Sequence, residues 1–115
     1  MNNNQKTEID IDIDPRIDWS FVDITVKMNL YRIFQEALQN INKYADATTI
    51  RIVIAKSETG ISIQIFDNGK GFNVTQTKKG IGLKNINTRV GYYAGEMKVV
   101  SAPGKGCTLE VFIPN

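Results

Sequence analysis

The sequence predicts an α+β fold, a two-layer α/β sandwich whose mixed, mostly antiparallel sheet is covered on one face by helices. Three observations lead there. Segments with apolar residues at alternate positions are joined mainly by tight turns. Two segments instead carry apolar residues at three- and four-residue spacing, and these occur singly. The resulting order is strand, helix, hairpin, helix, hairpin, without internal repeats. A chain of 115 residues suits one domain with a sizeable core.

Bulk composition excludes several classes. The chain is 42% hydrophobic and 23% charged, as an ordinary globular domain is. A formal net charge of +2 and the lack of a Lys/Arg run give no footing for a nucleic-acid partner. One cysteine and no histidine argue against a disulfide framework and against zinc. No apolar run approaches the roughly 18 residues of a membrane span. The expectation is a soluble, cytoplasmic domain, monomeric as a fragment, whose parent could still be membrane-anchored. Residues 1–7, polar after Met1, are expected to be disordered, and 8–115 to form the domain, cut from a longer protein.

The elements follow in order. In "EIDIDIDP", Ile9, Ile11 and Ile13 alternate with acids, a strand closed by Pro15. "RIDWSFVDI" is irregular. From about Asp23 to Tyr44, the residues Leu30, Ile33, Phe34, Ala37, Leu38, Ile41 and Ala45 form one helical stripe. "TTIRIVIAKSETGISIQIFDNG" reads as a hairpin in which Ile50, Ile52 and Ile54 pair with Ile61, Ile63 and Ile65. A loop bearing Gly and Lys leads to a second helix, with Leu83, Ile86, Val90 and Tyr93 on one face. "EMKVVSA" and "CTLEVFIP" close the sheet around the turn "PGKG".

Three features invite chemistry. Asn29, Arg32, Glu36, Asn40 and Lys43 make a polar stripe beside the apolar one on the first helix. A solvated helix face would show the same pattern. Asp67 shares parity with Ile61, Ile63 and Ile65, so its carboxylate points to the face the helices cover. An acceptor there needs a donor, although "DNG" is also a common turn tripeptide. Finally, "GKGF" and "GIGL" place Gly69, Gly71, Gly80 and Gly82 around a Lys-bearing loop, the second pair opening a helix whose free N–H groups suit an anion. Neither the P-loop nor the dinucleotide-binding glycine spacing is present.

Taken together, "EALQNINKY", "DNGKGF", "GIGL" and "GKGCTLEVFIP" resemble, in order, the N box, G1 box, G2 box and closing strand of the ATP-binding catalytic domain of sensor histidine kinases. That superfamily also holds DNA gyrase, the heat-shock chaperone and mismatch-repair ATPases. The Q-E-A-L form and the short loop look like the nitrate-sensor and desaturase-thermosensor branch. The resemblance spans residues 8–114 and implies a set of roles. Asn40 would ligate Mg²⁺, which bridges the ATP phosphates, and Lys43 and Tyr44 would contact the phosphates and the nucleotide edge. Asp67 would accept from the adenine amino group, with Gly69 and Gly71 passing close to the base. Gly80, Gly82 and Leu83 would face the triphosphate, and Lys78 and Lys79 could reach it, although a solvated loop is the favoured reading of those lysines. Glu36 would act as catalytic base, unless it merely pairs with Arg32 or Lys43.

Two departures stand out. Cys107 stands where the family usually has a threonine whose hydroxyl helps hold the adenine–Asp network; by parity Cys107 points inward, while Thr108, the neighbouring cofactor-binding candidate, faces the other way. The chain also has no histidine, so the phosphoacceptor and dimerisation helices are expected elsewhere in a homodimeric parent, with a response regulator downstream. The expected activity is transfer of the γ-phosphoryl of Mg·ATP to that histidine. The alternatives are an ATP-hydrolysing conformational switch, a serine kinase of a regulatory protein, and a non-catalytic nucleotide-binding module.

Overall fold

A computed structural model describes residues 7–42, 47–71, 88, 90–91 and 95–114. Five strands form one sheet: β1 (Glu8–Ile13), β2 (Thr49–Lys56), β3 (Gly60–Asp67), β4 (Glu96–Ser101) and β5 (Cys107–Pro114). Their spatial order is β1-β2-β3-β5-β4. β1 runs parallel to β2 and every other pairing is antiparallel, so the sheet is mixed as expected.

One face of this sheet carries the core. Alternate residues Ile50, Ile52, Ile54, Ile63, Ile65, Leu109, Val111 and Ile113 are buried there, against Leu30, Ile33 and Ala37 of helix α1 (Ile24–Asn40) and against Val90. Burying each of the Ile, Leu and Val side chains among them contributes about 1.5–3 kcal/mol. Thr88, Val90 and Gly91 are helical, as the second amphipathic segment requires. Its other core candidates, Leu83, Ile86 and Tyr93, lie outside the described residues.

Helix α1 starts where its sequence supplies a cap: the Asp23 carboxylate accepts from the Thr25 N–H and hydroxyl at 3.0 Å each. At its far end Ile41 and Asn42 continue in a wider turn, and the Ile41 N–H reaches both the Ala37 and Leu38 carbonyls. The expected continuation to Tyr44 lies outside the described residues. The stretch between β1 and α1 is irregular except for a short 3-10 turn, Trp19–Phe21, capped by Asp18.

One expectation needs correction. The hairpin register sets Ile52 opposite Ile65 and Ile54 opposite Ile63, but Ile50 opposite Asp67 and Lys56 opposite Ile61. The longer pairing carries β3 on to Asp67. The predicted first strand is present as β1, with Ile9, Ile11 and Ile13 46–56% exposed. Their register partners Ile50, Ile52 and Ile54 are buried, so the β1 isoleucines share the core face but sit at the sheet edge, beyond the cover of α1. Just past that strand, Asp14 binds the Arg16 guanidinium at 2.8 Å and accepts from the Lys56 N–H at 3.0 Å, tying the end of β1 to the end of β2. These donors hold the Asp14 carboxyl well below the usual carboxylate range. Its contribution to stability is therefore present at neutral pH and disappears only in strong acid.

Candidate nucleotide site

Strand directions gather the candidate residues at one end of the sheet. β3 ends at Asp67 and β4 at Ser101, while β2 and β5 begin there. The connection leaving the C-terminal end of α1 arrives at the same end. Asn68 receives it: its amide oxygen accepts from the Thr48 and Thr49 N–H groups at 2.9 Å each, and its amide donates to the Thr48 hydroxyl at 3.0 Å. "DNG" is therefore not the turn of a hairpin. It is a clamp that fixes the chain entering β2 beside the end of β3.

Asp67 is 3% exposed, on the helix-covered face that its parity assigned to it. Its Oδ1 accepts from the Gly69 N–H at 2.9 Å, the one hydrogen bond to this carboxylate among the described residues. Burial raises its pKa, and the Gly69 N–H only partly opposes this. A charged form penalised by the fold makes the ligand-free protein more stable below the ordinary carboxylate pKa. That stability is lost as pH rises through the folded value.

Glycines let backbone close in around it. Gly71 has φ +67° and Gly106 φ +74°. A Cβ at Gly71 would collide with the Ala102 carbonyl oxygen, and one at Gly106 with the Asp67 carbonyl oxygen. The segment after β3 and the turn between β4 and β5 are therefore packed backbone to backbone, joined also by the Gly104 N–H donating to the Lys70 carbonyl. Gly69 contributes its N–H. Gly104 also has a positive φ, +79°, but nothing lies within 4 Å of a Cβ built there. Gly104→Ala should therefore lose only the strain of a left-handed residue, about 1–3 kcal/mol. Gly106→Ala should lose clearly more, because backbone must also move. Denaturant unfolding of the two variants checks the ranking.

On α1 the polar stripe divides. Asn29 is buried and Glu36 and Asn40 are half-buried, while Arg32 is exposed. Glu36 Oε2 is shielded from solvent. The side leaning inward thus carries Asn29, Glu36 and Asn40, which a solvated face would not do. Cys107 points inward as its parity requires. Burial, together with the Asp67 charge, pushes its thiol up to about 11, partly offset by a hydrogen bond with Ser101. Thr108 leaves the site: it stands opposite Phe66 and Val100 on the outer face of the sheet, the alternation putting it one residue out of phase with Cys107. Lys43, Tyr44, Lys78, Lys79, Gly80, Gly82 and Leu83 lie outside the described residues.

Sequence reading missed three contributors: Asn68, Gly106 and Ser101. The parity of Ser101 with Met97 and Val99 is visible in "EMKVVSA" and could have placed its hydroxyl inward. Nothing local signals that Asn68 grips the start of β2, since its partners are about twenty residues away.

A mixed sheet backed on one face by α1, with a buried carboxylate at the end of β3, is an arrangement that the chain shares with known proteins. Residues 25–115 match the family of histidine kinase-, DNA gyrase B- and HSP90-like ATPases, and the chain belongs to that family. It is 38% identical over 90 residues to the signal transduction histidine-protein kinase/phosphatase DegS of Brevibacillus brevis, covering 77% of this chain and 23% of that protein. It is 32% identical over 105 residues to the sensor histidine kinase LiaS of Bacillus subtilis, covering 90% and 29%. The chain thus spans about a quarter of the length of these relatives. The fold is shared with the blue-light activated histidine kinase EL346 of Erythrobacter litoralis, whose kinase domain superposes with a TM-score of 0.79 at 16% identity, over 94% of this chain and 51% of that one. It is shared likewise with the histidine kinase AdeS of Acinetobacter baumannii, at a TM-score of 0.76 and 14% identity, over 96% and 55%.

Proposed function

We propose that the chain is the catalytic and ATP-binding domain of a sensor histidine kinase. It binds Mg·ATP and passes the γ-phosphoryl group to a histidine on a separate helical dimerisation domain of a homodimeric parent, from which a response regulator takes it. The observation that carries this reading is Asp67, a nearly inaccessible carboxylate whose second oxygen takes no hydrogen bond among the described residues. An exocyclic amino group suits it, and the tight backbone around Gly71 and Gly106 suits a flat base. Among the described residues no helix is long and apolar enough to cross a membrane, which agrees with a cytoplasmic placement of this domain.

The residues present fit the metal and the triphosphate. Asn40 offers a neutral amide oxygen, which suits a hard cation without repelling phosphate. Bound there, magnesium would neutralise charge on the phosphates. Lys43 and Tyr44 would hold the phosphates and the nucleotide edge. Gly80, Gly82 and the amides around Leu83 would line the phosphate side, with Lys78 and Lys79 within the loop that covers it. Glu36, one helical turn before Asn40, would take the proton that the attacking imidazole sheds as its nitrogen bonds to phosphorus and ADP departs.

Removal of the metal ligand tests this arrangement. Magnesium should strengthen ATP binding to the wild type, and Asn40→Ala should lose most of that gain, on the order of tenfold. Calorimetric titrations with magnesium and with a chelator give both numbers. An Asn40→Ala variant with undiminished magnesium dependence would remove Asn40 from the metal site.

A further inference from the structure

Strand β3 is released from the sheet by a side chain. Asp67 and Ile50 form the last pair between β3 and β2, so Asn68 and Thr49 come next. Opposed residues in an antiparallel ladder can exchange two backbone hydrogen bonds. Here the backbone makes the first, from the Asn68 N–H to the Thr49 carbonyl at 3.2 Å. The return bond, from the Thr49 N–H, ends at 2.9 Å on the Asn68 side-chain oxygen. The amide thus stands in for the carbonyl of its own residue. The backbone can turn out of the sheet right after Asp67, and the β2 donor keeps a partner.

That turn aims the buried carboxylate. Two residues beyond Asp67, the Gly69 N–H donates back to Asp67 Oδ1 at 2.9 Å, the short loop an aspartate makes with its own backbone. It fixes one carboxylate oxygen and, with it, where the other lies. Asn68 is the middle residue of this loop, so the loop keeps its shape only while Asn68 is held. The same side-chain oxygen also accepts from the Thr48 N–H at 2.9 Å, and the side-chain amide donates to the Thr48 hydroxyl at 3.0 Å. Thr48 is itself tied to β1, its carbonyl accepting from the Glu8 N–H at 2.9 Å. On the other side the turn after β4 closes in: a Cβ at Gly106 would meet the Asp67 carbonyl oxygen and the Asn68 Cα. Asn68 is exposed, so these hydrogen bonds, rather than core packing, are what its side chain adds.

We infer that Asn68 is a positioning residue for base recognition: its side chain locks the Asp67–Gly69 turn to the start of β2, which holds the second Asp67 oxygen where the amino group of the bound adenine meets it. This rests on the reading of Asp67 as the adenine acceptor. Asn68 touches no ligand in this scheme and acts through the carboxylate beside it. When such preorganisation is lost, affinity falls, because the ligand must then order the turn as it binds. Guanine offers a carbonyl where adenine offers the amino group, and gains nothing from an aimed carboxylate. Asn68 therefore governs the preference for ATP over GTP.

Hydrogen exchange of the Gly69 amide, followed by NMR on the ligand-free protein, reads the turn without any nucleotide. Asn68→Ala should speed it roughly two- to tenfold, the range of one neutral hydrogen bond, with the Ile63 and Ile65 amides unchanged. Asn68→Asp, whose carboxylate can accept from the same two N–H groups, should keep the wild-type rate. Unaltered Gly69 exchange in Asn68→Ala would overturn the inference. So would equal acceleration at Ile63 and Ile65, the mark of a residue that merely stabilises the sheet. Calorimetry supplies the functional half. The ratio of ATP to GTP affinity should fall roughly two- to tenfold in Asn68→Ala and return in Asn68→Asp, since any effect of the added charge on the phosphates cancels in that ratio. In an Asp67→Asn background, Asn68→Ala should change the ratio by less than about 1.5-fold. A ratio that survives Asn68→Ala, or that falls equally in both backgrounds, would overturn the inference. Should Asn68→Ala not fold, Asn68→Ser, whose hydroxyl ends one atom short of the amide oxygen, carries the same expectations. A wild type without ATP preference, in which Gly69 exchange still follows Asn68, would instead sink the adenine reading of Asp67, and the recognition role of Asn68 with it.

Discussion

Phosphotransfer by a Glu36→Gln variant should fall by roughly 10²–10⁴-fold, the usual contribution of a positioned general base, while ATP affinity stays within about twofold of wild type. Gln keeps the size and helix propensity of Glu, so α1 and its buried stripe are undisturbed, and Asn40 one turn on keeps its amide. What is lost is a basic oxygen on the inward-leaning side of the helix, where Glu36 Oε2 is shielded from solvent. The assay needs the histidine-bearing helical domain, supplied separately, and labelled ATP. Transfer at the wild-type rate would reduce Glu36 to a charge that supports the helix.

The second large effect separates binding from stability. Asp67→Asn should weaken ATP binding by about 1–3 kcal/mol, or roughly five- to 150-fold, because an amide group would face the adenine amino donor with a donor of its own. The same change should stabilise the ligand-free fold at neutral pH. Burial raises the pKa of Asp67, so its charged form works against folding above that value. Asn can still accept the Gly69 N–H, and it carries no charge to desolvate. Thermal unfolding across pH checks the sign: the gain from Asp67→Asn should shrink as pH falls below the ordinary carboxylate range, where Asp67 is neutral as well. A variant that loses both ATP binding and stability at neutral pH would instead make Asp67 a structural carboxylate.

The sheet could be read from the chain because period-2 patterns are local. Ile50, Ile52 and Ile54, Ile63 and Ile65, and Leu109, Val111 and Ile113 each announce a buried face without reference to the rest of the protein. The same alternation put Asp67 inside, and helical spacing separated the core stripe of α1 from the Asn29–Glu36–Asn40 line. Parity alone could not show where the cover of α1 stops, at the edge isoleucines of β1. Contacts between distant segments were equally silent: Asn68 with Thr48 and Thr49, Gly106 beneath the Asp67 carbonyl, and Gly71 against Ala102. Each depends on which strand neighbours which, and the β1-β2-β3-β5-β4 order is a property of the whole fold. Resemblance supplied the roles of Glu36 and Asn40, since a polar helix stripe by itself does not name a metal or a base.

The most direct test of the nucleotide site compares ATP with GTP by calorimetry, in the presence of magnesium and at equal ionic strength. The two share every phosphate, so any contact with the phosphates or their metal cancels, and only the base distinguishes them. Adenine offers an amino donor where guanine offers a carbonyl, and the Asp67 carboxylate can pair only with the first. ATP should bind at least roughly tenfold more tightly, with the preference largely erased in Asp67→Asn. Equal affinity of the wild type for the two nucleotides would contradict the assignment of Asp67 as the group that reads the base.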